Sequence, residues 1–199
     1  MEINPDHVGI LVFAKAPVPG KVKTRMQPDF SKNESATLQS KLINHTLKTA
    51  LQFTHNVELW CHPSSSDEHF VNVRKQYGVA LHTQTGIDLG EKMRRAMTEA
   101  IMRYKYIFLI GTDCPSLTTE SFKVVQQYLQ KSEVVIIPAE DGGYVLISCK
   151  DKAPDCFADI DWGTSKVLSQ TLANLDKVNQ SYSLPVSYTH LTLPTTSRV

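Results

Sequence analysis

Two periodicities of apolar residues alternate along this chain, and they predict strands and helices in succession. Short apolar runs rich in β-branched residues are typical of buried parallel strands, and they cover residues 8–14, 57–61, 79–82, 106–110 and 134–137. Elsewhere, apolar residues at helical spacing predict helices over residues 33–53, 67–77, 88–104, 118–130 and 164–175. Residues 144–147, after a Gly-Gly turn, predict a further strand beside the fifth.

This alternation predicts the fold class, an α/β three-layer sandwich with a mainly parallel sheet. Residues 106–110 form the most apolar run, which predicts a central strand. The length of 199 residues suits one domain, and a hydrophobic content of 41% is sufficient for a substantial core.

The overall charge excludes some classes of partner. Lys and Arg total 21 against 20 Asp and Glu, which argues against a nucleic-acid partner bound through bulk charge.

No apolar run approaches the roughly 20 residues that span a bilayer, so we expect no membrane partner. The 4 cysteines form no C-x-x-C pair and the first residues lack a secretory pattern. Both features predict a cytoplasmic protein with reduced thiols.

Three segments place candidate chemistry at the ends of predicted strands. Residues 13–26 offer backbone amides and cations, residues 111–117 offer a carboxylate, and residues 138–144 offer another carboxylate beside two glycines. Open α/β sheets bind ligands at the carboxyl ends of their strands. The set therefore predicts a site for a phosphorylated ligand held together with a divalent metal.

The first of these segments lacks both glycine-rich fingerprints of nucleotide-binding loops. Its Gly20 still allows the backbone to approach a ligand closely. Lys21, Lys23 and Arg25 supply positive charge for phosphate oxygens. The alternative is a solvated basic loop, but its position directly after the first strand favours phosphate binding.

Asp113 directly follows the predicted central strand and is the candidate metal ligand. Mg²⁺ and Mn²⁺ prefer oxygen ligands and often share them with substrate phosphates. Such a metal would neutralise charge on a departing diphosphate. The alternative role for Asp113 is a helix N-cap or an Asx turn ahead of Pro115.

Asp141 precedes Gly142 and Gly143 at the end of the fifth predicted strand. Asp141 or its neighbour Glu140 is a candidate for binding a sugar hydroxyl, a metal-bound water or the acceptor, and for acting as general base. Asp-Gly is equally a strong hairpin signal, and a turn is compatible with a catalytic role. Trp162 is a candidate for lining the acceptor pocket, with a buried aromatic as the alternative.

Taken together, these motifs resemble a bacterial family of glycosyltransferases associated with radical-SAM or selenodomain proteins, some of them linked to arsenosugar biosynthesis. The family pattern reads F-A-K-A-P-x-P-G-x-V-K-T-R, D-L-G-x-x-M, G-[ST]-D-C-P-x-L, P-A-x-D-G-G-Y-x-L-I and W-[GS]-T. This chain has all of them in that order, between about residue 8 and residue 175. Each motif alone is weak, and only the joint match is specific.

The resemblance implies the GT-A fold of nucleotide-diphospho-sugar transferases, with kinship to molybdenum-cofactor and phospholactate guanylyltransferases. It implies that the loop from Lys15 to Arg25 contacts the nucleotide and its phosphates. It further implies that Asp113 binds the cofactor, Mg²⁺ or Mn²⁺, and that the turn at Asp141 faces the transferred group or the acceptor.

The last residues depart from the family pattern. The family usually continues into an acidic segment like D-x-D-T-P-x-D, from which related folds commonly take a second metal ligand. Here residues 186–199 are rich in Thr and Ser and contain no acidic residue. We interpret them as a non-native tail, so that residues 1–185 form a single transferase domain truncated at its C-terminus. The alternative is a genuine edge strand, because Leu191, Thr192 and Leu193 alternate.

Three functions are compatible with these residues. The leading hypothesis is a metal-dependent glycosyltransferase that uses a nucleotide sugar and a small-molecule acceptor. The alternative is a nucleotidyltransferase of the guanylyltransferase type, which joins an NTP to a phosphorylated acceptor and releases pyrophosphate. The third is a nucleotide-binding protein without turnover. Fold similarity does not decide among the three, and the sequence gives no oligomeric state.

Overall fold

The structure, a computed structural model, describes residues 4–26 and 29–185. Its strands are β1 (Val8–Lys15), β2 (Val57–His62), β3 (Ala80–Thr83), β4 (Tyr106–Ile110), β5 (Val134–Pro138), β6 (Tyr144–Lys150) and β7 (Tyr182–Ser183). Its helices are α1 (Lys32–Leu51), α2 (Glu68–Tyr77), α3 (Leu89–Ala100), α4 (Thr119–Leu129) and α5 (Val167–Lys177), with short 3₁₀ turns at Pro5–His7 and Thr24–Met26.

The strands form one seven-stranded sheet in the order β3-β2-β1-β4-β6-β5-β7. β1, β2, β3 and β4 pair in parallel, while β6 runs antiparallel between β4 and β5. This confirms the predicted α/β fold with a mainly parallel sheet, and β4 lies in its middle as expected. The segment 144–147 pairs with β5 as predicted, but it also separates β5 from β4.

The sheet divides the apolar core into two layers because successive strand residues point to opposite faces. One layer lies under α1, α2 and α4 and includes Val12 and Phe122. The other lies under α3 and α5 and includes Phe13, Trp60 and Met97. Both faces of β1 are covered, which is why its sequence reads as a continuous apolar run.

Side chains cap the starts of the first and third helices. The Ser31 hydroxyl accepts a hydrogen bond from the Glu34 amide at 3.2 Å, and the Glu34 carboxylate accepts one from the Ser31 amide. The Asp88 carboxylate caps α3 by accepting a hydrogen bond from the Glu91 amide at 2.7 Å, while the Glu91 carboxylate accepts from the Ile87 amide. The last helix starts at Val167 rather than at residue 164. Its delay has a local cause, because the Thr164 hydroxyl donates to a carbonyl of its own loop at 2.8 Å and accepts from the Lys166 amide.

The cysteines behave as the sequence predicted, since all four are free thiols. Burial raises the pKa of Cys61 and Cys156 to about 12, so these thiols remain protonated. Within residues 4–26 and 29–185 no helix is long and apolar enough to cross a membrane. Residues 186–199 lie outside the described residues, so the non-native tail stays a prediction.

A buried ionic network lies on the face of β2 that packs under α3. Glu58 is 3% exposed and accepts hydrogen bonds from Trp60 Nε1 at 3.1 Å and from the Arg103 guanidinium at 3.0 Å. The Trp60 ring stacks on His82 at 4.7 Å and on Phe13 at 6.1 Å between centroids. Because Phe13 also lines a cavity at the carboxyl edge of the sheet, the network supports one wall of that cavity.

Replacing Arg103 tests this network. Arg103→Met should lower the free energy of unfolding by about 2 kcal/mol, because it removes the guanidinium donors from a buried carboxylate. Urea titration measures the loss. Arg74→Met removes an exposed arginine of α2 and should change the stability by less than about 0.5 kcal/mol. Equal losses in the two variants would contradict the role given to Glu58.

Candidate active site

The carboxyl ends of β1, β4 and β5 meet at one edge of the sheet, because these strands run in the same direction. All three segments that the sequence singled out leave the sheet at this edge. They are the loop after β1, the loop after β4 and the hairpin between β5 and β6. The expected convergence at the strand ends is therefore present.

The loop after β1 is folded by its own backbone bonds. The Lys21 amide donates to the Val18 carbonyl at 3.0 Å, and the Met26 amide donates to the Lys23 carbonyl at 3.0 Å. Val22 is buried and anchors the loop to the protein. Gly20 has a φ of +79°, which favours glycine at this turn. The Lys21 side chain is exposed.

Lys23 and Asp113 form an ion pair that joins the first two loops. Lys23 Nζ lies 2.5 Å from Asp113 Oδ1, and the side chains are 12% and 75% exposed. The two residues are 90 positions apart in sequence, so sequence reasoning assigned them separate roles. The structure places Lys23, predicted to bind phosphate, in direct contact with Asp113, predicted to bind the metal.

Sequence reasoning missed two residues that hold these loops together. Gln39 of α1 donates from Nε2 to the Lys15 carbonyl and to the Thr112 hydroxyl, both at 3.3 Å. Thr112 in turn donates to Asp113 Oδ1 at 3.3 Å. The sequence did indicate that Gln39 is buried, because this polar residue lies at the spacing of the apolar stripe formed by Ala36 and Ile43.

The hairpin after β5 is a tight turn built around Asp141. The Asp141 carboxylate accepts a hydrogen bond from the Gly143 amide at 3.0 Å. Gly142 has a φ of +83°, and its carbonyl accepts from the Leu168 amide of α5 at 2.8 Å. The turn interpretation of Asp141 is confirmed, and its catalytic role stays a prediction. Glu140 is exposed at the same tip.

A cavity of about 340 Å³ opens beside this hairpin, within the range of small-molecule sites. Its apolar wall comes from β1, β4, β6, α3 and the loop before α5, and its residues include Phe13, Leu89, Met93, Leu109, Val145 and Trp162. Its polar groups include Arg25, Asp141, Thr164 and Ser165. The cavity thus combines an apolar body with one cation and one carboxylate.

Trp162 and Arg25 stand out among the lining residues. Trp162 Nε1 is buried and has no hydrogen-bond partner among residues 4–26 and 29–185. A Cβ added to Gly163 would lie 3.7 Å from Arg25 Nη2, so the guanidinium packs against this loop. In the described part of the chain the Arg25 side chain forms no hydrogen bond or ion pair. Both groups are available to a ligand in the cavity.

The described residues suit a metal that arrives together with phosphate. In residues 4–26 and 29–185, no three His, Cys, Asp or Glu side chains cluster closely enough to hold a metal ion. Asp113 nevertheless offers a 75% exposed carboxylate. Mg²⁺ is commonly held by one or two carboxylates plus substrate phosphates, and Asp113 fits that arrangement.

The fold and the site define a structural class, the α/β proteins whose mainly parallel sheet carries a candidate ligand site at the carboxyl ends of its strands. Within it, the chain belongs to the bacterial family DUF2064, described as uncharacterized proteins conserved in bacteria, whose model matches residues 46–164. The chain is 24% identical over 132 residues to a 2-phospho-L-lactate guanylyltransferase of Methanobrevibacter smithii, a match that covers 66% of this chain. It spans 57% of the length of that curated relative.

Solved structures share the fold. A candidate nucleotide-diphospho-sugar transferase from Desulfovibrio desulfuricans G20 is 28% identical with a TM-score of 0.82, and the match covers 90% of this chain and 80% of that one. The 4-diphosphocytidyl-2C-methyl-D-erythritol synthase of Anaerococcus prevotii DSM 20548 is 11% identical with a TM-score of 0.61, over 98% and 94% of the two chains. The relative and both neighbours bear the names of transferases or synthases of nucleotide-linked compounds.

Proposed function

We propose that this chain is a transferase that takes a nucleotide-activated donor and moves a group from it to a small-molecule acceptor. The observation that supports this is the edge site itself. Arg25 of the cationic loop and Asp141 of the hairpin line one cavity at the carboxyl ends of parallel strands, and Gly111 in its wall lies two positions before the exposed carboxylate of Asp113. Such edges are where open α/β sheets bind nucleotides.

The loop from Lys15 to Arg25 has the role of holding the donor phosphates. The Gly20 backbone allows close approach, while Lys21, Lys23 and Arg25 supply charge. Asp113 would hold Mg²⁺ or Mn²⁺ together with these phosphates, and the metal would supply charge neutralisation for the departing phosphate oxygens. The metal and Lys23 would compete for the Asp113 carboxylate. Lys23 would then leave Asp113 and contact the phosphates.

The cavity has the role of holding the acceptor. Its apolar wall with Trp162 excludes water, and Arg25 favours an anionic or strongly polar group on the ligand. Asp141, in the wall of the cavity, is the candidate general base that takes a proton from an acceptor hydroxyl. Its bond to the Gly143 amide fixes the carboxylate in place, and Glu140 and Gly142 complete the tip that faces the transferred group.

Glycosyl transfer is the first candidate reaction. The 28% identity and TM-score of 0.82 to the candidate nucleotide-diphospho-sugar transferase support it. The motifs that resemble the radical-SAM- and selenodomain-associated glycosyltransferases also support glycosyl transfer. The proposal includes a role in the biosynthesis of arsenosugar-type compounds. The donor would be a nucleotide sugar.

Nucleotidyl transfer is the second candidate reaction. It is favoured by the similarity to the 2-phospho-L-lactate guanylyltransferase, which is 24% identical over 132 residues. The donor would be an NTP, the acceptor would carry a phosphate, and pyrophosphate would leave. The same loop and the same carboxylates would serve this reaction.

A thermal-shift panel tests the proposal. It compares UDP-, GDP-, ADP- and dTDP-sugars with free NTPs, each with and without Mg²⁺ or Mn²⁺. A ligand at about 100 times its dissociation constant adds about 2.7 kcal/mol to the stability, which raises Tm by roughly 5–10 °C for a chain of this size. We expect a metal-dependent shift with one nucleotide class.

The ligand that shifts Tm selects the reaction. A shift with a nucleotide sugar supports glycosyl transfer, and release of a nucleoside diphosphate in the presence of acceptor mixtures then confirms it. A shift with an NTP and release of pyrophosphate supports nucleotidyl transfer. Binding without turnover across donors and acceptors would favour the non-catalytic alternative. An unchanged Tm with every nucleotide would contradict the proposal.

A further inference from the structure

Lys15 and His62 end neighbouring strands and share one face of the sheet. The two residues are partners in the parallel register of β1 and β2, and the Ala16 amide donates to the His62 carbonyl at 2.8 Å. Alternation along each strand places them on the same face as Phe13 and Trp60, which belong to the layer under α3. Both side chains therefore extend from the active-site edge on the α3 side.

Lys92 joins them from the first turns of α3. It directly precedes Met93, which is buried and lines the cavity together with Phe13. Lys92 is half-buried and His62 is half-buried, whereas Lys15 is exposed. Lys15 and Lys92 thus lie two positions and one position from Phe13 and Met93, which line the cavity, and the charges of both lysines act on the His62 ring.

The two lysines and the imidazole have no acidic partner among the described residues. Across residues 4–26 and 29–185, the side chains of Lys15, His62 and Lys92 form no hydrogen bond and no ion pair. Acidic residues on α3 and at the start of α2 are engaged elsewhere. Glu91 pairs with Arg95 and accepts from the Ile87 amide, and Asp88 caps α3. On α2 the Asp67 carboxylate caps its own helix and acts on His69.

We propose that Lys15, His62 and Lys92 form a binding site for a phosphoryl group at the carboxyl ends of β1 and β2. Like charges held together without a partner repel each other, and an anion between them removes that cost. Two of the groups are flexible point charges and the third is an imidazole, a set that suits the oxygens of a phosphate. Nothing in the motif pattern pointed to His62 or Lys92.

The site couples anion binding to a proton. Burial, then Lys92, then Lys15 hold the pKa of His62 below its usual value in the free protein. A bound anion cancels the two cationic effects and raises that pKa, so binding takes up a proton. Affinity is then highest below the pKa of the free protein and falls as the pH rises through the pKa of the complex.

The source of the phosphoryl group rests on the proposed transferase function. It is either the phosphate end of the donor or a phosphate on the acceptor held in the neighbouring cavity. In the first case, pyrophosphate and the nucleotide compete for the site. In the second case, a phosphorylated hydroxy acid such as 2-phospholactate binds alongside the nucleotide, and unphosphorylated lactate does not.

The test uses the full chain and requires no turnover. Inorganic pyrophosphate is titrated by calorimetry into the native chain, Lys92→Met and Arg94→Met. The Arg94 side chain is exposed on the same helix, so its variant is a control for loss of one charge. We expect Lys92→Met to weaken binding about tenfold, as for loss of one charged hydrogen bond, and Arg94→Met to change it less than about twofold. Equal affinities in all three chains would overturn the site.

NMR measures the protonation of the His62 ring as a function of pH, with and without sulfate. Sulfate is the probe because its charge is constant between pH 5 and 8. His62→Gln assigns the resonance. We expect sulfate to raise the pKa of His62 by about one unit, and with it a roughly tenfold gain in sulfate affinity at low pH. In Lys92→Met without sulfate, that pKa should already be higher if the two groups are close, and a dispersed amide spectrum checks that the variant is folded. An unchanged His62 titration would overturn the coupling.

These outcomes separate the anion site from the transferase function. A metal-dependent nucleotide shift with unchanged pyrophosphate binding in Lys92→Met leaves the function standing and removes the site. Loss of pyrophosphate binding in that variant, together with no nucleotide shift in the native chain, retains the site and removes the function.

Discussion

Asp113→Asn should lower kcat/KM for the nucleotide donor at least 100-fold and leave the free energy of unfolding within about 0.5 kcal/mol of the native value. The loss follows because removing one group that stabilises transition-state charge commonly costs about 10²–10³ in rate. Stability should hold because the carboxylate is 75% exposed and exposed ion pairs contribute little. Turnover assays with and without Mg²⁺ or Mn²⁺, together with urea titration, measure both quantities.

Two further variants separate the possible causes of such a loss. Glu120→Gln changes another exposed, ion-paired carboxylate and should leave turnover unchanged. Lys23→Met removes the partner of Asp113 but leaves the carboxylate, so it should weaken donor binding while the reaction keeps its dependence on the metal. If Asp113→Asn kept native turnover at native metal dependence, Asp113 would not be the metal ligand.

Gly142→Ala should destabilise the protein by about 3 kcal/mol and abolish turnover. A Cβ at this position would lie 2.2 Å from the Ser165 carbonyl oxygen, and φ is +83°, where side chains are strained. The added methyl would push the hairpin away from the loop before α5 and break the Leu168–Gly142 hydrogen bond of 2.8 Å. Because Asp141 and Ser165 both line the cavity, the cavity would open.

Gly78→Ala is the matched control for this substitution. Gly78 has a φ of +71°, similar to that of Gly142, but a Cβ there meets nothing within 4 Å. The variant should cost only the conformational strain, about 1 kcal/mol, with turnover retained. Urea titration of both variants isolates the cost of the contact between the added Cβ and the Ser165 carbonyl oxygen. Equal stabilities would show that the hairpin does not pack tightly against Ser165.

Much of the fold could be predicted from the sequence because its signals are local. The buried run of β1 and the apolar spacing of α1 and α3 depend on residues a few positions apart, and each of these elements was predicted. β7 was missed, since Tyr182–Ser183 is too short to show a period. The late start of α5 was also missed, because it depends on where the Thr164 hydroxyl finds its partner.

The candidate site was predicted as a set of segments but not as an arrangement. Position after a strand was enough to single out Arg25, Asp113 and Asp141, because parallel strands end at a common edge. The sequence could not show that Lys23 contacts Asp113. Nor could it show that His62 ends beside Lys15. These contacts depend on the order of strands in the sheet.

By itself, the sequence determined the class of fold, six of the seven described strands, the five described helices and the sheet edge at which the candidate residues lie, since periodicity acts over a few residues. Only the tertiary structure decided which charges meet. It inserted β6 antiparallel between β4 and β5, which brings the Asp141 hairpin to the cavity. It also laid α3 against β1 and β4, which brings the charge of Lys92 close enough to act on His62. Long-range pairing and packing select these contacts from many that the same local signals allow.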